Sequence, residues 1–366
     1  MQQDMWHDKE APAGSIPVTW GYQRPATTEP AVEEAEAALA LRYGWNLSLF
    51  RGQRAATDTG GSAAFALIGE PNPPSARARS IDTLRVSQWK RFGNAVRQLK
   101  NVFLAARRYE ASTIQFPSPH PFFSGSVAGP FGLTWTTMGR APVPTGLEGD
   151  FFIILGLGFR PTPEQEASVL KELVRPLLVP QLQANPPASE AVDMVLHFRG
   201  GDVFKPPIGH TLHRGYGQPP LAYYLAAVAR EKPSRVRLVF QDRSNPTVAA
   251  AEEALKARGI EVLMQSSSLG ADLRVLLNAR CLVGSFGSFC QGIAALSTRV
   301  QKFYQFGPPI PALRLLGIHL VEGVDEPGDY RRAAASDNWA ATPVQLALMT
   351  EYPEEGIRLV DYSPLG

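Results

Sequence analysis

The sequence predicts an α/β protein of two lobes with parallel sheet structure, and three observations carry that expectation. From Met194 to Leu296 short apolar strands alternate with helices, the pattern of a parallel sheet covered on both faces. An earlier strand, helix, strand unit runs from Leu84 to Phe116. The 366 residues, 44% of them hydrophobic, suffice for two cores of ordinary size.

Taken in order, residues 1–80 show one clear helix, Glu29–Tyr43, whose early proline and acidic residues suit a helix start. Gly69–Ser80, with Pro, Ser and Gly, reads as a connector. Leu84–Val86 is a short strand. A Gly93-Asn94 loop follows, then a helix with Val96, Leu99, Val102, Phe103 and Ala106 at helical spacing, then a strand from Thr113 to Phe116. Ser118–Gly149 has no sustained period and reads as a long irregular excursion, either a cover for an acceptor groove or a packed surface loop. Phe151–Leu157 reads as a strand. Thr162, Pro163 and Glu164 open a helix to about Leu178, which Pro176 should kink or end. Asn185–Ala188 is the candidate linker.

Beyond it come strand Met194–Leu196, helix Leu221–Arg230, strand Val236–Phe240, helix Pro246–Arg258 and strand Glu261–Met264. Helix Asp272–Asn278, strand Cys281–Val283 and a helix from about Phe289 to Leu296 complete the alternation. The expected domains are 1–80 as an extension or part of the N-terminal lobe, 81–187 as that lobe, 188–335 as the C-terminal lobe, and 336–366 as a tail packing back on the N-terminal lobe.

A net charge of +2, from 36 basic and 34 acidic residues, gives no polyanion-binding surface, so nucleic acid is not an expected partner. Cys281 and Cys290 are too few for a disulfide framework and match no familiar zinc spacing; they read as small core residues. The N-terminus lacks a secretory pattern and no segment is long and apolar enough to span a bilayer, so the expected setting is cytoplasmic. The sequence is silent on oligomeric state.

The chemistry concentrates at strand ends, where ligands of parallel sheets bind. In Met194–Phe204, MVLHFRGGDVF, an apolar strand runs into His197, Arg199, Gly200, Gly201 and Asp202. His197 and Arg199 share one side of the extended chain. An arginine fork there suits a phosphate or carboxylate, because its planar donors bind two oxygens at once. The alternative is an internal Arg199–Asp202 ion pair pinning a loop, with His197 in the core. In Cys281–Ser297 a strand leads through Gly284, Ser285, Phe286, Gly287 and Ser288 into an apolar helix, whose N-terminal N–H groups favour an anion. Simple capping by Ser288 is the alternative. The stretch 210–228, with His210, His213, Arg214, Tyr216 and Gln218, reads equally as a sugar-contacting loop or as a helix entry with Tyr223 and Tyr224 as packing residues. His210 and His213 lack a clear third ligand, so no metal is expected.

The set HFRGGD at 197–202, LVFQD at 238–242, Asp272 before an apolar helix and GSFGS at 284–288 resembles the three successive motifs of the fucosyltransferase superfamily, the α1,2-, α1,6- and protein O-fucosyltransferases. The Gly93-Asn94 segment is similar to one that opens the N-terminal domain of several members. The resemblance covers roughly residues 84–300. It implies a GT-B architecture, two Rossmann-like lobes with mainly parallel sheets facing across a cleft, and an inverting, metal-independent transferase that moves a sugar, fucose from GDP-fucose first of all, to a hydroxyl of a glycan or related acceptor. It implies a GDP-sugar donor and no required cofactor.

On that resemblance Arg199 binds the β-phosphate, His197 and Asp272 meet guanine or ribose, and Ser285, Phe286, Gly287 and Ser288 hold phosphate oxygens. Gly200, Gly201 and Asp242 line the same pocket. The chain departs from the pattern twice. A second arginine of the first motif is replaced by Gly200, leaving Lys205, Arg214 or Arg243 to supply the charge, and Lys205-Pro206-Pro207 stands where α1,6 members carry a catalytic carboxylate. Arg199, Asp202 and His213 are the catalytic candidates, with the base itself unassigned. A transferase for another sugar nucleotide, or a binding protein that kept the pocket without the base, are the rival readings.

Overall fold

The computed structural model describes residues 65–68, 81–124, 131–135, 146–153, 157, 160–184, 192–205, 212–213, 217–334 and 338–365. The helix expected at Glu29–Tyr43, the connector Gly69–Ser80 and the linker Asn185–Ala188 lie outside them. The fold is α/β with two sheets dominated by parallel pairs. The chain groups into two compact units: 1–90, 98–121 and 126–161 form the first, while 91–97, 122–125 and 162–366 form the second.

The first unit holds β1 (Phe65–Ile68), β2 (Thr83–Val86), β3 (Thr113–Phe116), β4 (Gly132–Trp135) and β5 (Gly146–Gly149), in the order β1-β5-β2-β3-β4. Only β1 runs antiparallel to its neighbour. Helix α1 (Phe92–Tyr109) follows β2 and buries Val96, Leu99, Val102, Phe103 and Ala106 as its spacing predicts. Gly93 and Asn94 lie in its first turn rather than in a preceding loop.

Two expectations are corrected in this unit. The stretch Ser118–Gly149 contributes two strands, β4 and β5, and is not wholly irregular. Of the strand expected over Phe151–Leu157, residues 151–153 and 157 are not extended strand and 154–156 lie outside the described residues; the run before them is β5, which stops ahead of Phe151, a residue at φ 54°. Side chains of α1 then satisfy the carbonyls that a ladder would otherwise occupy. Gln98 Nε2 donates to Asp150 O at 2.5 Å, and Asn101 Nδ2 donates to Phe151 O and Phe152 O at 2.9 Å each.

The second unit opens with α2 (Pro163–Val169), started by a Thr162/Gln165 capping box. One π turn, Leu170–Val174, and a 3₁₀ turn, Arg175–Leu177, prolong it past Pro176, and α3 (Pro180–Gln183) follows. The main elements are β6 (Met194–Phe198), β7 (Leu212–His213), α4 (Leu221–Glu231), β8 (Arg235–Phe240), α5 (Pro246–Ala257), β9 (Glu261–Gln265), α6 (Leu269–Asn278), β10 (Cys281–Val283), α7 (Ser288–Leu296), β11 (Lys302–Gln305), α8 (Pro311–Leu315) and β12 (His319–Asp325). Then come α9 (Asp329–Ala334), β13 (Asn338–Trp339), α10 (Pro343–Glu351) and β14 (Ile357–Tyr362).

Seven strands make the main sheet, ordered β14-β12-β11-β10-β6-β8-β9, parallel except for β14. The C-terminal residues complete this sheet through β14 against β12. Successive strands step from β6 through β8 to β9, then return to the other side of β6 at β10. That reversal is a topological switch point, and a crevice opens beyond the carboxyl ends of strands at such a point. Leu196, Phe198, Val236, Leu238, Val283 and Tyr304 form the core beneath it. Cys281 and Cys290 are both buried there, their thiols pushed up to about 12 by burial, as inert core residues should be. Tyr223 and Tyr224 are fully buried packing residues.

Candidate functional site

The site is built where β6 and β10 end side by side, paired through Leu196 and Val283. One residue beyond that pair on β6, His197 Nδ1 meets Ser285 Oγ at 2.8 Å, joining segments 88 residues apart. The ring lies 4.9 Å from Phe289, and the Tyr224 hydroxyl donates to the His197 carbonyl at 3.1 Å. Desolvation, with the nearby Arg199 charge, pushes the imidazole down to about 3, so His197 is neutral at physiological pH.

Arg199 follows on the same side of the chain. Asn245 Nδ2 donates to its carbonyl at 3.0 Å, and its Nη2 reaches Asp202 Oδ1 at 3.1 Å. Between them Gly200 and Gly201 do separate jobs. A Cβ on Gly200 would stand 2.7 Å from Asp242 Oδ1, whereas Gly201 adopts φ +69° and its N–H reaches Ser244 Oγ at 3.2 Å. Asp242, at the end of β8, accepts from the Ser244 N–H at 2.9 Å and from the Ser244 hydroxyl. Burial raises its carboxyl, but the Ser244 bonds, together with the Gly201 N–H and the Lys205 charge, outweigh it and hold the group below its ordinary value. Asp242 thus shapes the loop beside the crevice.

The third motif forms the opposite side. Gly284 has no room for a side chain, since a Cβ would lie 2.7 Å from the Phe303 ring and 2.8 Å from Cys290 Cβ. Ser285 is buried, and Phe286 is 39% exposed. Gly287, at φ +122°, is the N-cap of α7, so Ser288 does not cap the helix. Its hydroxyl instead donates to Asn94 Oδ1 at 2.5 Å. A Cβ on Gly93 would fall 2.6–2.8 Å from the backbone of Ser288 and Phe289, so the first turn of α1 and the start of α7 touch backbone to backbone. Phe289 is flanked by the Phe92 ring, at 5.9 Å, and by His197.

Asp202 lies on a 3₁₀ turn, Gly201–Val203, and bridges two guanidiniums: Arg199 through Oδ1 and Arg91 through Oδ2 at 2.9 Å. Desolvation pushes its carboxyl up, but the two arginines prevail and hold it below the ordinary value. Among the described residues the second cation on Asp202 beside Arg199 is therefore Arg91, rather than Lys205 or Arg243. Arg243 pairs with Glu252 at 3.3 Å and lies over Phe240, Lys205 is exposed, and Arg214 is outside the described residues.

Asp272 stands apart from this group, in the first turn of α6 after β9, with β8 between that strand and β6. Ser268 caps the helix, and buried Asp272 accepts from Gln265 Nε2 at 2.9 Å, while Arg237 Nη1 donates to Gln265 Oε1 at 2.8 Å. Burial pushes its carboxyl up. His213 lies on β7 opposite Asn338; its side chain, like His210 and Tyr216, is outside the described residues. Among the described residues no group of three or more His, Cys, Asp or Glu is placed to hold a metal, and no helix is long and apolar enough to cross a membrane.

Sequence reasoning missed Arg91, Ser244, Asn245 and Phe289. The asparagine ahead of Pro246 was a readable cap signal, and Asn245 does accept from the Thr247 N–H at 3.0 Å. Arg91 left no local signal, because its partner is 111 residues away.

No family model matches the chain, and comparison with curated proteins gives no match either. Among solved structures, a crystal structure of POFUT1 in complex with GDP is similar at 14% identity, over 61% of this chain and 98% of that one, with a TM-score of 0.40. A crystal structure of POFUT1 in complex with GDP-fucose is similar at 14% identity, over 62% and 98%, with a TM-score of 0.37.

Proposed function

We propose that the second unit binds the diphosphate of a nucleotide sugar at the β6/β10 crevice, and that the protein is a GT-B glycosyltransferase of fucosyltransferase-like type. It transfers a sugar, fucose from GDP-fucose in the first instance, to a hydroxyl of a glycan or related acceptor, with inversion and without a metal. The observation that carries this reading is the His197–Ser285 hydrogen bond, which brings the first and third motifs together at the switch point with Arg199 beside them.

In the reaction the acceptor oxygen bonds to the anomeric carbon as the bond to the diphosphate oxygen breaks, and the diphosphate leaves with the electron pair. Arg199 and the N–H groups opening α7 stabilise the charge that develops there. Neutral His197 donates or accepts at the nucleotide without adding charge. The acceptor proton goes to a base, and Asp202 suits that task poorly, because two guanidiniums lower its basicity. His213 is the remaining candidate from the sequence.

That same engagement of Asp202 favours a second reading, a nucleotide-sugar-binding protein that does not transfer. Calorimetric titration with GDP, UDP and ADP, followed by incubation with GDP-fucose and a glycan panel read by mass spectrometry, separates the two. Saturable GDP binding with transfer supports the transferase. Saturable binding with neither transfer nor donor hydrolysis supports the second reading, and no nucleoside diphosphate binding overturns both.

A further inference from the structure

We propose that Asp202 is a placeholder anion: a ligand phosphate takes over from it the two guanidiniums, Arg91 and Arg199, so that Asp202 sets how tightly the site holds a diphosphate. The inference rests on the donor-binding reading above. One carboxylate oxygen meets each arginine, at 3.1 Å and 2.9 Å, which is how a phosphate edge would span the same two forks. With Asp202 in place the trio carries one net positive charge; with it neutral or turned away, two.

The exchange is physically easy. The Asp202 side chain is 51% exposed, with Arg91 at 63% and Arg199 at 28%, and ion pairs this accessible to water contribute little. The turn beneath is fixed independently, since Val203 is buried and its carbonyl accepts from Trp339 Nε1 at 2.6 Å. Asp202 can therefore swing out by side-chain rotation while the turn stays put. A doubly charged diphosphate then gains two forks where the carboxylate offered a single charge. The second arginine missing from the first motif is thereby supplied from the start of α1.

The test is GDP titration of the full chain. Asp202→Asn, which keeps the shape and removes the charge, is expected to tighten GDP binding by roughly fivefold or more and to steepen its salt dependence. Arg91→Ala in the Asp202→Asn background should erase that gain. Glu354→Gln removes the same charge from an exposed pair with Arg258 and should leave affinity unchanged. If the wild type binds GDP and Arg199→Ala weakens it, yet Asp202→Asn leaves affinity unaltered or weaker, the placeholder role is wrong while the donor reading stands. If the wild type does not bind GDP, both fall.

Discussion

Mild acid should destabilise the second unit through His197. Its native imidazole is pushed down to about 3 from an ordinary value of 6.5. The unfolded chain therefore takes up a proton below its ordinary value that the folded chain refuses until about 3, and stability falls as pH drops through that window. Each pH unit inside the window is worth about 1.4 kcal/mol, so lowering the pH from about 7 to about 5 removes ~2 kcal/mol. The ring is half-buried, and water screening reduces the expected loss to about 1–2 kcal/mol. Asp202 and Asp242, whose carboxyls are also lowered, act with the same sign: their contribution is present above the ordinary carboxylate value and is lost as pH falls through it, below the two pH values compared. His120, pushed down to about 4 by burial in the first unit, loses stability with the same sign as His197, so wild type must be compared with His197→Gln. Urea unfolding at both pH values should show the wild type losing about 1–2 kcal/mol more than the variant. Equal losses, or an imidazole resonance titrating near its ordinary value by NMR, would refute the reasoning.

Arg199→Ala should weaken GDP binding about 10- to 150-fold, the loss of a charge-assisted contact worth ~1.5–3 kcal/mol, while thermal stability moves by under about 1 kcal/mol because its ion pair with Asp202 is accessible to water; calorimetry and melting curves check the two halves separately. Gly93→Ala adds a good helix former, yet the new Cβ meets the backbone of Ser288 and Phe289, and a net cost of about 1–3 kcal/mol should appear as a lower urea midpoint. Gln98→Ala removes from a fully buried residue its bonds to the Lys90 N–H and to the carbonyls of Gln88 and Asp150, and should lower first-unit stability by about 2 kcal/mol or more in thermal unfolding.

The alternation from β6 to α7 was legible because each strand is a short apolar run and each helix has a periodic face, so the elements appear within a residue or three of where the pattern put them. The same pattern misled at the start of the apolar run, residues 151–153, where the carbonyls of Phe151 and Phe152 are taken by Asn101. It was also blind to β5, GLEG, a sequence with no strand propensity that is extended by its neighbours β1 and β2. In the site, His197, Arg199 and Ser285 could be nominated because each follows a recognisable strand. Their pairing, and the arrival of Arg91 and Asn94, depend on tertiary contacts between distant segments, which periodicity does not encode. Asp242 follows a readable strand as well, and its carboxylate accepts from Ser244.

The return of the chain from β9 to β10 has a consequence for folding. Contacts separated by 88 residues in sequence must close their loop before they stabilise anything, and such contacts form late. His197 and Ser285 meet only after β6, β8 and β9 have been laid down and β10 has crossed back beside them. An incompletely folded second unit therefore has no crevice, and a ligand that binds there selects the finished sheet, raising the stability of the whole unit by mass action.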